Sequence, residues 1–289
     1  MVALLTVGHR DRVVGAFFSS DGQSLYTVAR DGAIFSWSAE TVIVPNKSSN
    51  SNSKRGKKRK QSQQQQQEEE EDEEKMEDSE QEDDDEEEKE DEAVITKTLW
   101  KLTSREFLWE PHTSVSSVAF NKTNNLLVVG FDKGVFGLYE MPGCVSIHKL
   151  SVSHHSLNTA AINSSGEWLA LGSTRLGQLL VWEWQSETYV LKQQGHLYGI
   201  KSLDFSSDGQ LIATGGDDAK VKLWNSSSGF CFVTFSEHVA PVTGIRFVGK
   251  GAGKSVISCS LDGTVRAHDL LRYRNFRTLT TPQVIHLFM

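Results

Sequence analysis

Short runs in which apolar and polar side chains alternate recur along this chain, separated by residues that favour turns. Lys220-Val221-Lys222-Leu223-Trp224 is one such run. A period of two is the pattern of a strand whose two faces meet different surroundings. Between the runs stand Ser20-Asp21-Gly22, Ser165-Gly166, Ser207-Asp208-Gly209 and Asp262-Gly263. Glycine supplies positive φ there, and Asp or Ser side chains bond their own backbone, so each cluster predicts a turn. Outside the stretch from 45 to 97 no apolar stripe recurs with helical spacing. The pattern predicts an all-β chain.

The strands are organised by a repeat. His112, His154, His196 and His238 are spaced 42 residues apart, and His9 precedes His112 by 103, one period plus an insertion of 61. Trp37, Tyr139, Trp182, Trp224 and His268 follow in step downstream. A period in this range, opened by Gly-His and closed by Trp, predicts four-stranded propeller blades that bury their faces against neighbours. The expected architecture is about five blades, an incomplete array.

The polar positions within the repeat sharpen the picture. Gly195-His196, Thr214, Asp218 and Trp224 resemble the WD-repeat family. That resemblance implies a chain of hydrogen bonds from indole N–H to threonine hydroxyl, hydroxyl to imidazole, and imidazole to the turn aspartate. His9, Thr27, Asp31 and Trp37 repeat the set with the same offsets of 18, 22 and 28. His238, Ser258 and Asp262 nearly do, with His268 where tryptophan is expected. In blades two and three Val129, Lys133, Gly172 and Leu176 stand in place of the Ser/Thr and Asp, so those blades are expected to rest on apolar packing alone. A His-Thr-Asp set also resembles a hydrolase triad in outline. Its recurrence in several blades with a tryptophan attached favours a structural role, and the chain is expected not to be an enzyme.

Longer strings narrow the resemblance. Leu176 to Gln185, Glu187 to His196, Gly229 to Phe235, Asp262 to Ala267 and Arg272 to Thr278 are similar to the periodic tryptophan protein 2 family of nucleolar WD-repeat proteins. The family implies a non-enzymatic scaffold subunit of the small-subunit processome, supporting pre-rRNA processing and small ribosomal subunit biogenesis in the nucleus and nucleolus. The implied partners are other WD-repeat processome subunits, the small nucleolar RNA particle and pre-rRNA. Family members are larger, with tandem propellers and a helical region, so this chain is expected to be an internal portion. The alternative is a generic WD-repeat adaptor, such as a ubiquitin-ligase substrate receptor or a chromatin-associated protein.

Charge changes the picture in one place. The formal net charge is −8, yet Glu68 to Glu92 hold 20 of the 38 acids and Lys54 to Lys60 hold 6 of the 30 bases. Without residues 50–92 the remainder carries 18 acids and 22 bases, a net charge of +4. The insertion has almost no apolar side chains to offset ordering entropy and is expected to be disordered. The boundaries read as 1–44 for the first blade, 45–97 for the insertion, 98–282 for blades two to five and 283–289 for an atypical tail. Lys54, Arg55, Lys57, Lys58, Arg59 and Lys60 form a candidate nuclear localisation signal. Ser79, among acids, is a candidate phosphosite. Arg272, Tyr273, Arg274, Phe276 and Arg277 interleave cations with aromatics and form a candidate RNA or partner contact.

Other chemistry finds little support. Gly249 to Ser255 resembles a phosphate-binding loop, but glycine is missing at Val248 and a strand, not a helix, follows. Cys144, Cys231 and Cys259 have neither disulfide nor zinc spacing. No apolar run is long enough to span a membrane. No cofactor, metal or small-molecule substrate is expected.

Overall fold

The computed structural model describes residues 8–44, 95–108, 112–249 and 255–280. Two compact units divide the chain, residues 1–38 with 101–289, and residues 39–100. All regular elements among the described residues are β-strands, arranged as five four-stranded sheets. Blade one is β1 (Val13–Phe18), β2 (Ser24–Ala29), β3 (Ala33–Val44) and β4 (Ile95–Phe107). Blade two is β5 (Val115–Asn121), β6 (Leu126–Phe131), β7 (Val135–Glu140) and β8 (Val145–Ser151). Blade three is β9 (Leu157–Ile162), β10 (Trp168–Ser173), β11 (Gln178–Glu183) and β12 (Thr188–Gln194). Blade four is β13 (Ile200–Phe205), β14 (Leu211–Gly216), β15 (Val221–Asn225) and β16 (Cys231–Phe235). Blade five is β17 (Val242–Val248), β18 (Ser255–Ser260), β19 (Thr264–Asp269) and β20 (Arg274–Thr280).

Each sheet runs in chain order, and β4 moves an expected boundary. The first blade does not end at residue 44, nor does blade two begin at 98. A blade needs an outer strand to pair its third, and Ile95–Phe107 is that strand. The insertion therefore falls inside the β3–β4 connection, and blade two starts at Val115. Residues 45–94 and the tail 283–289 lie outside the described residues.

Strand position within a blade decides its sequence. The second strand is covered on both faces, so β6 is buried along its whole length and β10 and β14 at all but their first residue. Their sequences, LLVVGF, WLALGS and LIATGG, lack alternation for that reason. The inner strand β5 alternates buried and half-buried positions, and the outer strands β8 and β20 are mostly exposed.

One apolar core lies between each pair of successive blades. Tyr26, Val28 and Ile34 of blade one meet Leu127, Val129 and Phe131 of blade two. Val128, Phe136 and Leu138 meet Leu169, Leu171 and Leu180 of blade three. Blades three and four share Leu179, Val181, Ile200 and Leu203, and blades four and five share Leu223, Phe235, Val242 and Val256. Each fully buried leucine or isoleucine contributes roughly 1.5–3 kcal/mol. No sheet could retain this burial alone.

Candidate functional site

The inner strands carry a repeated irregularity. Each is shifted by one residue against the second strand, which leaves Val14, Ser116, Asn158, Lys201 and Thr243 at the shift. A bulge of this kind re-aims the side chain of the extra residue. All five residues line one polar cavity of about 260 Å³, joined there by Arg12 and Arg246.

The polar set of blade four is complete. The backbone N–H groups of Gly195 and His196 donate to the Gly177 carbonyl at 2.7 and 2.9 Å, which fixes the loop that carries His196. Gly177 sits at φ +57, and a Cβ there would collide with the backbone carbonyls of His196 and Tyr198. The Trp224 indole N–H on β15 donates to Thr214 Oγ1 on β14 at 2.9 Å. His196 Nε2 lies 2.8 Å from the same hydroxyl, and Nδ1 lies 2.8 Å from Asp218 Oδ1. One donor order satisfies every atom: indole to hydroxyl, hydroxyl to Nε2, and Nδ1–H to carboxylate. That order needs neutral imidazole. Burial holds the His196 pKa below its usual value despite the pull of Asp218. Burial pushes the Asp218 carboxyl up, but His196 and the N–H groups of Leu197 and Lys220 outweigh it and hold it low.

Blade five reaches the same result by different chemistry. His238 Nε2 lies 2.8 Å from Ser258 Oγ, and Nδ1 lies 2.9 Å from Asp262. His268 replaces tryptophan as the third partner, with Nε2 at 2.9 Å from Ser258 Oγ. It is buried, stacks on Phe235 at 4.3 Å, and leaves Nδ1 without a partner. Burial, with His238 and Arg266 nearby, pushes its pKa down to about 4.

Blade one departs from expectation. His9 Nε2 lies 2.8 Å from Thr27 Oγ1, and Trp37 donates to that hydroxyl at 3.0 Å. Asp31 does not close the set. It is exposed and accepts the N–H of Ala33 in its own turn, while His9 Nδ1 has no partner. Stacking on Phe35 at 3.9 Å orients the His9 ring instead.

Blades two and three do not rest on apolar packing alone. Ser116 and Ser117 hydroxyls donate to the Leu157 carbonyl at 2.8 and 2.6 Å. Asn121 donates to the Asn163 carbonyl at 2.7 Å. Between blades four and five, Asp204 accepts the Phe247 N–H at 2.9 Å and Arg246 at 3.0 Å. These bonds join neighbouring inner strands at separations of 40 to 43 residues, a signal that a search within one blade does not contain.

Apart from Asp31, the set residues are therefore bonded to one another within their blades. A family model described as WD domain, G-beta repeat, matches residues 2–38, 104–136, 187–225 and 229–269, just over half the chain. The chain belongs to the WD-repeat family. Across 96% of its length this WD-repeat chain is 40% identical to periodic tryptophan protein 2 of Arabidopsis thaliana, covering 32% of that protein. It is 45% identical over 96% of its length to the Mus musculus homologue, covering 30% of it. The Saccharomyces cerevisiae protein is 43% identical over 94% of this chain and 26% of its own length. The likeness to periodic tryptophan protein 2 is thus borne out, and the chain spans about a third or less of these relatives.

The remaining candidate residues separate cleanly. Arg272 and Tyr273 sit in the turn before β20, and Arg274, Phe276 and Arg277 lie on β20, all exposed. Phe232 on β16, not among the candidate contacts read from the sequence, meets Tyr273 edge to face at 5.9 Å. Lys54, Arg55, Lys57, Lys58, Arg59, Lys60 and Ser79 lie outside the described residues, as do residues 250–254 of the glycine-rich loop. Among the described residues no group of His, Cys, Asp and Glu could hold a metal ion, and no helix is long and apolar enough to cross a membrane.

Proposed function

We propose that this chain is a non-enzymatic scaffold segment of the small-subunit processome, supporting pre-rRNA processing and small ribosomal subunit biogenesis in the nucleolus. The reading rests on the similarity to periodic tryptophan protein 2 across almost the whole chain. The structure agrees with a scaffold in one respect: the His-Thr-Asp and His-Ser-Asp sets are used up in buried bonds between strands. A nucleophile needs an open approach for its substrate, and Thr214 and Ser258 are fully buried. Other WD-repeat processome subunits are the proposed protein partners, with the small nucleolar RNA particle and pre-rRNA in the same assembly. Import through Lys54 to Lys60 belongs to the same proposal.

The test is affinity purification of the tagged full chain from nucleolar extract, with small nucleolar RNA and ubiquitin-ligase subunits both quantified. Enrichment of the RNA together with WD-repeat proteins is expected. Enrichment of ligase subunits without the RNA would replace this reading with the adaptor one. Residues 50–62 fused to a reporter should carry it into the nucleus, and a reporter left in the cytoplasm removes the import element.

A further inference from the structure

A second repeated bulge lies on the outer strands. In blades two to five each outer strand slips by one residue against the third strand, beside the tryptophan position. The residues at the slip are Ile147, Val190, Phe232 and Phe276. Ile147 and Val190 are packed against buried clusters. Phe232 and Phe276 are larger yet stand 42% and 56% exposed. The fold thus presents in blades four and five a side chain that it tucks away in blades two and three.

The surroundings of these two rings are of one kind. Tyr273 packs on Phe232 across the two blades, and Phe230 and Leu271 are about 70% exposed close by in sequence. Arg274 and Arg277 have no ion-pair partner among the described residues, and Arg272 reaches only Asp269, at 3.6 Å. β20 contains no acidic residue and no lysine. Exposed aromatics with arginine, lacking lysine and acids, form the composition of the centre of a protein interface.

We propose that the outer edge of blades four and five, centred on Phe232, Tyr273, Phe276, Arg274 and Arg277, docks an acidic protein segment that carries apolar side chains between its carboxylates. The arginines supply charge complementarity and planar donors for carboxylates. The aromatics and Leu271 supply the apolar anchor. Single-stranded RNA fits less well, because base stacking needs open ring faces. Phe232 and Tyr273 are already turned edge to face against each other, and an exposed leucine offers no stacking platform. This surface is independent of the processome reading and stands or falls without it.

The test uses the purified full chain and fluorescence anisotropy with three labelled probes. They are a peptide alternating glutamate with leucine and tryptophan, a poly-glutamate of equal length, and oligouridylate. The alternating peptide should bind tightest. Phe276→Ala and Arg274→Glu should each weaken it about tenfold, while Val145→Ala on the exposed outer strand of blade two should leave it unchanged. All these side chains are exposed, so melting temperatures should hold; Arg277→Glu serves if Phe276→Ala disturbs the strand. Tighter binding of oligouridylate that is lost in Tyr273→Ala would assign the surface to RNA and overturn the proposal. Equal binding of both peptides, or no effect of any substitution, would overturn it too.

Discussion

Thr214→Val is the sharpest perturbation of the polar set. Valine keeps the shape of threonine, so no cavity opens and the change isolates the hydroxyl. Thr214 is fully buried, and its Oγ1 accepts from Trp224 at 2.9 Å and donates to His196 at 2.8 Å. Removing it strands an indole N–H and an imidazole nitrogen in residues that are both 2% exposed. Each stranded group costs about 1–3 kcal/mol, so the expected loss is on the order of 2–6 kcal/mol. With a urea dependence of about 3 kcal/mol per molar, the upper value suited to a chain of this size, the midpoint should fall by roughly 1–2 M. Tryptophan fluorescence reports the transition, and hydrogen exchange on β14 shows whether blade four opens first. Thr27→Val makes the same change in blade one, where His9 is only half-buried and already lacks a partner at Nδ1. It should cost about half as much. Residues held for chemistry are commonly strained, so replacing one leaves stability level or raises it. A negligible midpoint shift for Thr214→Val would therefore refute the structural role and reopen catalysis.

Acidification should act through the histidines before the aspartates. His196, His238 and His268 have folded pKa values below 6.5, so their contribution is complete above that pH and is lost as pH falls toward the folded values. For His268, pushed down to about 4, the loss by that pH approaches about 3 kcal/mol. Asp218 and Asp262 are lowered as well, so their contribution fades only below their usual value of 3.8. Melting temperatures from pH 7 to pH 2 check the order, and His268→Gln, which keeps a donor for Ser258, should flatten the upper part of the curve. At the seam of blades four and five, Asp204→Ala strands the Phe247 N–H and should cost about 1–3 kcal/mol. Asp204→Asn keeps an acceptor there and should cost less than about 1 kcal/mol, since burial already disfavours the Asp204 charge; equal urea midpoints for the two variants would show that the seam bond is idle.

The blades were legible because each must solve the same problem with nearly the same residues. A buried threonine needs a donor and an acceptor at fixed offsets, and those offsets survive in the spacing of His196, Thr214 and Trp224. Offsets do not say which way an exposed carboxylate turns, and Asp31 turns to its own backbone. Nor do they show a substitute that works by another route, as His268 does through Nε2. Ser117 and Asn121 escape for a different reason, since their partners lie one blade away rather than within the blade. The β4 strand was obscured because an insertion separates it from β3, which breaks the local rhythm that marks a hairpin.

The two bulge series indicate where a repeat fold leaves room for specificity. Positions that recur with the same burial are constrained by the seams: alter one and two sheets lose their shared core. The outer strand has a neighbour on one edge only, so its exposed side chains, unlike the buried Leu191 and Phe235, can change without opening a seam. The insertion obeys the same logic. It falls in the connection between the third and outer strands of blade one. Closing a longer loop there adds only about 0.6 kcal/mol per doubling of its length. Phe232 and Phe276 occupy a repeated position with a non-repeating exposure, which structural need does not explain. Among the described residues most buried polar side chains are bonded within the protein, and the proposed docking surface is built from such departures on the outer edge.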